Sequence, residues 1–363
     1  MSILLFFLVI FVLILVHEFG HFWMAKKTGM RVDEFGIGFP PKVTSIKKGE
    51  TEYSFNLLPI GGFVRIFGED SKEAQASGDY DRSFVAKSPL QQALVLVAGV
   101  TMNMAFAWFL FVLVFALGVP TVVSENDASE DAWLVVAEVL PESPAAAADI
   151  PRGAVITELS AGNEADQILN ISSFQAFTED RPDTELQVSY TYAGESFTTV
   201  VTPVTGLVEE MPNRPAIGIA LAMIDVVSEP LHVALWEGTK ETGQTLVAVT
   251  IGISTLLYDT FLLQADLSSV AGPVGIVGLV EEASQFGLTS LLLFTALISI
   301  NLAVINMLPF PALDGGRLLF VAIEVLKGSP IKPVWVARLN TIGFVILILL
   351  MVAVTWSDIA KLI

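Results

Sequence analysis

The sequence predicts a polytopic α-helical membrane protein with four transmembrane helices, a β-hairpin lying in or against the membrane, and one inserted β-rich domain. Three observations predict it. Of the 363 residues 53% are hydrophobic and only 16% charged, against about 45–50% and about 25% in soluble domains. The apolar residues gather into runs long enough to cross a bilayer, whose core takes about 20 helical residues. The charge is segregated. Residues 25–89 hold ten of the 19 Lys+Arg, whereas residues 118–230 hold three of them and 19 of the 38 Asp+Glu, a net −16. Such an acidic balance excludes a nucleic-acid partner, which demands basic patches. The absence of cysteine excludes a disulfide framework and any thiolate metal site.

The first span opens with fourteen apolar residues, Ile3 to Val16. That run alone has the length of a signal-peptide core, but no basic residue precedes it and no small-residue cleavage site follows. The pattern continues through His17-Glu18-Phe19-Gly20-His21 to Ala25, so residues 1–25 form a helix of span length with polar residues in its last third. Residues 26–89 are basic and rich in Gly and Pro. Within them residues 52–67 read as strand, turn and strand around Pro59-Ile60-Gly61-Gly62. The second span lies in 90–117, with Asn103 inside it, and residues 118–230 form an inserted domain with short β-type runs. Two further spans follow, within 288–316 and 337–358, joined by a basic loop at 317–336. Residues 243–263, with Asp259 as their single charge, are ambiguous by hydropathy alone.

His17-Glu18-x-x-His21 is an H-E-x-x-H motif on a helix. Positions i and i+4 share a face, so both imidazoles reach one metal ion, and the glutamate between them stands where it can deprotonate a water beside that ion. Two of the three histidines in the chain are here, and chance would produce the motif roughly 0.003 times at this composition. Ionisable groups in the hydrocarbon region are costly and by default mark function. At about 1.5 Å per residue, His17 stands about 21 Å into a core about 30 Å thick. Catalytic zinc takes three protein ligands. His232 lacks a partner motif. Asn306-Met307-Leu308-Pro309-Phe310-Pro311-Ala312-Leu313-Asp314-Gly315 offers an aspartate at the end of a span, although spacing alone equally allows a helix-ending turn with a solvated Asp314.

Together, His17-Glu18-x-x-His21 and Asn306-x-x-Pro309-x-Pro311-x-Leu313-Asp314-Gly315 resemble the site-2 protease family of intramembrane zinc metalloproteases, most closely its bacterial regulator-of-sigma-E type. Further similar segments are Phe35-Gly36-Ile37-Gly38-Phe39-Pro40, the run Asn56 to Val64 (similar to the family's re-entrant hairpin), Ala98-Gly99 with Asn103, and Gly272-Pro273-Val274-Gly275. The resemblance implies His17, His21 and Asp314 as Zn2+ ligands, Glu18 as catalytic base, and Asn306 as a group that holds substrate or the reacting carbonyl. Gly61, Gly62, Phe63 and Asn103 complete the expected substrate-binding set. The implied substrates are transmembrane proteins or signal peptides, cleaved in the lipid bilayer of the bacterial cytoplasmic (inner) membrane. Val139 to Ala148, with Gly153 to Leu159, looks like a bacterial PDZ domain that takes a peptide or a C-terminus. There is room for one such domain, where the best-known family members have two, so their two-domain gating does not transfer directly.

Topology follows from charge. The positive-inside rule places 25–89 in the cytoplasm and the acidic domain outside. Were 243–263 to cross, Asp314 would lie at the face opposite His17 and His21. If it does not cross, Asp314 lies level with them, and the loop with Arg317, Lys327, Lys332 and Arg338 is also cytoplasmic. Residues 231–287 are therefore expected to form an amphipathic helix and loop on the outer membrane surface, with both termini outside. Two rival readings are a zinc or proton-coupled transporter, which lacks the expected internal repeats, and an inactive scaffold presenting a PDZ domain.

Overall fold

The computed structural model describes residues 2–69, 79–162, 164–167, 170–192, 194–207, 213–262 and 271–362. Lys72 of the basic loop and residues 263–270 lie outside the described residues. The chain divides into two compact units, one comprising Met1–Val114 with Pro230–Ile363, the other Phe115–Glu229.

In the first unit, α1 (Ser2–Lys27), α2 (Pro89–Leu117), α7 (Leu288–Met307) and α9 (Pro333–Leu362) are the elements that contain the four helices long and apolar enough to cross a membrane. The helix α5 (Leu231–Phe261), within the segment expected on the outer membrane surface, is not one of them. Its polar half packs on α2. Trp108 Nε1 donates to Thr239 Oγ1 at 2.9 Å, and a Cβ on Gly238 would stand 2.6 Å from Val112 Cγ2. The short helices α6 (Pro273–Gln285) and α8 (Asp314–Lys327) complete the helical part. The buried Asp358 near the end of α9 caps α6, accepting the Gly272 amide at 3.2 Å and the Gly275 amide at 2.8 Å.

Strands β1 (Val32–Lys48) and β2 (Thr51–Ile66) form a sheet that corrects the expected hairpin. The tight turn is at Gly49, whose φ of +66° suits glycine. From there residues 44–48 pair back on 51–55. The arms before and after Pro59-Ile60-Gly61-Gly62 do not pair with one another. Each pairs with residues 34–37, one on either side: Gly36 faces both Ser54 and Phe63, and Ile37 both Phe55 and Gly62. A two-stranded hairpin is marginal in isolation, and a central strand supplies the extra ladder. Two further boundaries differ. The span expected over 288–316 is helical only to Met307, and the 317–336 loop is largely helix, because α8 starts at Asp314. Pro309 and Pro311 cannot donate backbone hydrogen bonds, so the helix breaks before them.

The second unit is a sheet in the order β3-β9-β4-β5-β7-β8, with β6 on β5. Its strands are β3 (Val119–Val123), β4 (Trp133–Val139), β5 (Val155–Ala161), β6 (Glu164–Gln167), β7 (Leu186–Tyr192), β8 (Glu195–Val201) and β9 (Ile219–Val227). Alternation puts Leu186, Val188 and Tyr190 of β7 into a core with Leu134, Ile156 and Phe174. The helix α3 (Pro144–Ala147) is a single turn, and α4 (Ile171–Glu179) is fixed by a capping box between Asn170 and Ser173. Val119 pairs with Val227, so the unit's two chain ends are neighbours.

Candidate metal centre

One turn of α1 separates His17 from His21, and both are buried at 8% exposure. Asp314, the first residue of α8, brings Oδ2 to 3.0 Å from His17 Nε2 and 3.2 Å from His21 Nε2, and the two Nε2 atoms are 3.0 Å apart. Asp314 therefore opens a helix, where the sequence placed it at the end of one. Its reach comes from a fold-back in which Gly315 packs on the Met307 carbonyl and Gly316 on the Phe310 carbonyl, contacts closed to any larger residue.

These three atoms suit a cation. His21 Nδ1 lies 2.8 Å from the Val95 carbonyl oxygen. A carbonyl only accepts, so Nδ1 carries the proton and Nε2 points a lone pair at the carboxylate and the other imidazole. Converging lone pairs repel unless a positive charge lies among them. Two imidazoles and a carboxylate, one donor atom from each within 4.8 Å of the others, match the donor set of zinc with a fourth position left open.

The centre needs α1 and α2 to approach closely, and glycines permit it. A Cβ on Gly20 would lie 2.8 Å from the Ala98 carbonyl carbon, and one on Gly99 would lie 2.7 Å from His21 Cε1 and 2.8 Å from His17 Cε1. Small residues at helix contacts are the membrane pattern that could have marked these two positions.

The remaining expected residues divide by place. Gly62 brings β2 beside the metal-facing turn of α1, where a Cβ on it would stand 3.9 Å from Glu18 Cγ. Gly61, with φ +90°, abuts Ile14 and Phe39, and Gly62 lies against the Gly36 carbonyl. The Phe63 ring stacks on Phe39 at 6.4 Å. Asn103 is fully buried on α2, and its Nδ2 is 3.4 Å from His17 Nδ1. Asn306 sits in the last turn of α7, half-buried, and its side chain makes no hydrogen bond to another described residue. The Val95 carbonyl went unrecognised in the sequence, because a backbone atom leaves no motif.

Comparison with known proteins gives a consistent result. The model of peptidase family M50 matches residues 5–350. A candidate zinc metalloprotease of Clostridium perfringens is 35% identical, over 96% of this chain and 95% of that protein. Zinc metalloprotease RasP of Oceanobacillus iheyensis is 30% identical, over 99% of each chain. Regulator of sigma-W protease RasP of Bacillus subtilis is 28% identical, over 98% of each. A solved PDZ domain from Listeria monocytogenes covers 24% of this chain at 19% identity with a TM-score of 0.21, a likeness too slight to assign the inserted unit. Four apolar spans, a family match along nearly the whole chain and relatives aligned over almost their full length lead to one conclusion: the chain belongs to peptidase family M50 and is a membrane-embedded peptidase.

Proposed function

We propose that this protein is a zinc-dependent intramembrane endopeptidase of the bacterial cytoplasmic membrane. The observation that carries this reading is the approach of Asp314 Oδ2 to His17 Nε2 and His21 Nε2, both carried by a helix of span length. These residues would hold Zn2+, which supplies Lewis acidity to the scissile carbonyl and to the attacking water.

The chain's own groups do the rest. Glu18, between the two histidines and beside Gly62 of β2, takes a proton from that water and passes it to the leaving nitrogen. A helical substrate hides its carbonyls in i→i−4 bonds and has to unwind first. Residues 62–66 pair with 34–37 on one side only, and no further strand covers the other side among the described residues. That edge can hold an unwound segment by β-pairing, with Gly61, Gly62 and Phe63 at the approach to Glu18. Asn306 offers its unsatisfied amide to the substrate backbone.

The substrates are single-span transmembrane segments, either of an anti-sigma factor or of a remnant signal peptide. The sigma-W role carried in the name of the Bacillus subtilis relative favours the first. The inserted unit is a PDZ-type domain outside the cell, as are both termini. It binds a peptide or C-terminus and filters substrates by the size of their outer part. The test is metal removal: a chelator abolishes cleavage of a purified single-span substrate and Zn2+ restores it. Undiminished cleavage by zinc-free protein would overturn the proposal.

A further inference from the structure

Asn103 is fully buried in the second span, and its Oδ1 is a buried side-chain polar atom without a hydrogen-bond partner among the described residues. Its Nδ2 faces His17 Nδ1 at 3.4 Å. The helix turn that carries it is pinned from α7, where Ser299 Oγ donates to the Asn103 carbonyl at 2.8 Å. A buried acceptor left without a partner is costly, so a partner is expected for it. The only polar neighbour that a described contact gives the side chain is His17.

Proton placement decides the geometry. His17 Nε2 faces Asp314 Oδ2 and His21 Nε2, and to bind a cation there it must be unprotonated. A neutral imidazole then carries its proton on Nδ1 and needs an acceptor at that edge. An amide nitrogen cannot accept, whereas an amide oxygen can. A 180° rotation of the planar Asn103 amide exchanges the two atoms with almost no change of shape, and it gives the orphaned Oδ1 its partner in the same motion. The arrangement then mirrors that of His21, whose Nδ1–H is taken by the Val95 carbonyl.

We propose that Asn103 is the positioning residue of His17, accepting the Nδ1–H through its amide oxygen and so turning the Nε2 lone pair toward Asp314 and His21. This rests on the zinc reading above, and it gives Asn103 a role toward a metal ligand in place of direct contact with substrate. Such outer hydrogen bonds fix the tautomer of a ligating histidine, and their loss typically costs 10–100-fold in metal affinity.

The test uses full-length protein in detergent and two readouts other than cleavage. With only three histidines in the chain, 15N-histidine labelling resolves the His17 tautomer in zinc-free wild type. The Nδ1–H form is expected, and finding the Nε2–H form overturns the proposal without any variant. Zinc affinity by competition with a chromophoric chelator is then compared across variants. Asn103→Leu, which has no acceptor, is expected to bind zinc about 10–100-fold more weakly. Asn103→Asp, which keeps an acceptor, is expected to stay near wild type. Wild-type affinity in Asn103→Leu, or equal loss in both variants, overturns the proposal. Should wild type itself bind no zinc, the functional reading falls first.

Discussion

Gly99→Ala is the substitution on which local and tertiary physics disagree most. In a helix interior, glycine to alanine ordinarily gains about 1 kcal/mol through propensity alone. Here the new methyl would stand 2.7 Å from His21 Cε1 and 2.8 Å from His17 Cε1, where ordinary contact begins near 3.4 Å. His17 has to retreat by about 0.6 Å and His21, whose Nε2 is nearer still, by about 1 Å, or the helices have to part, and overpacking of that kind costs about 1–3 kcal/mol. The retreat is opposed by the 2.8 Å bond from His21 to the Val95 carbonyl. A misplacement near 1 Å at a catalytic centre is worth about 100-fold in rate. The expected outcome is a lower melting temperature, reduced bound zinc and cleavage of a single-span substrate down by about two orders of magnitude. Gly243→Ala serves as the control, since nothing lies within 4 Å of a Cβ there, and it is expected to cleave normally and melt slightly higher. Gly99→Ala protein that melts as high as that control and cleaves at the wild-type rate would refute the packing argument.

Two further outcomes are expected. Asp358→Ala strips the cap from α6 and leaves the Gly272 and Gly275 amides unpaired. Its cost is about 1–3 kcal/mol, read as a lower melting temperature, and unchanged melting would show the cap to be idle. Excision of residues 120–228 joins chain ends that are already adjacent, because Val119 pairs with Val227. The trimmed enzyme is expected to accept substrates with bulky outer domains that the full chain rejects, and unaltered selectivity would end the filter idea.

Much of this architecture is written in local pattern. Four apolar runs became four helices of span length, and the weaker amphipathic run over 231–263 became a helix that does not qualify as a span. The i, i+4 spacing of His17 and His21 required nothing beyond the helix itself. Asp314 was placed by a charge argument about topology, and the structure brings its carboxylate to 3.0 Å and 3.2 Å from the two imidazoles. What stayed hidden depends on contacts distant in sequence. Residues 34–37 take partners on both sides, and no periodicity reveals which of two apolar arms pairs with which neighbour. The same holds for Asp358, which caps a helix more than eighty residues before it, and for the Val95 carbonyl that fixes His21. Asn103 was visible as a polar residue in a span, but only its contact with His17 separates a substrate group from a histidine partner.

A metal-binding turn of α1, with Glu18 between its two histidines, is proposed to hydrolyse peptide bonds. Glu18→Gln tests it most directly, because the amide keeps the size of the side chain and removes its capacity as a base. Purified wild type and variant are assayed side by side for bound zinc and for cleavage of one single-span substrate. Full zinc occupancy is expected in both, and cleavage in wild type alone. Cleavage by Glu18→Gln at the wild-type rate would contradict it.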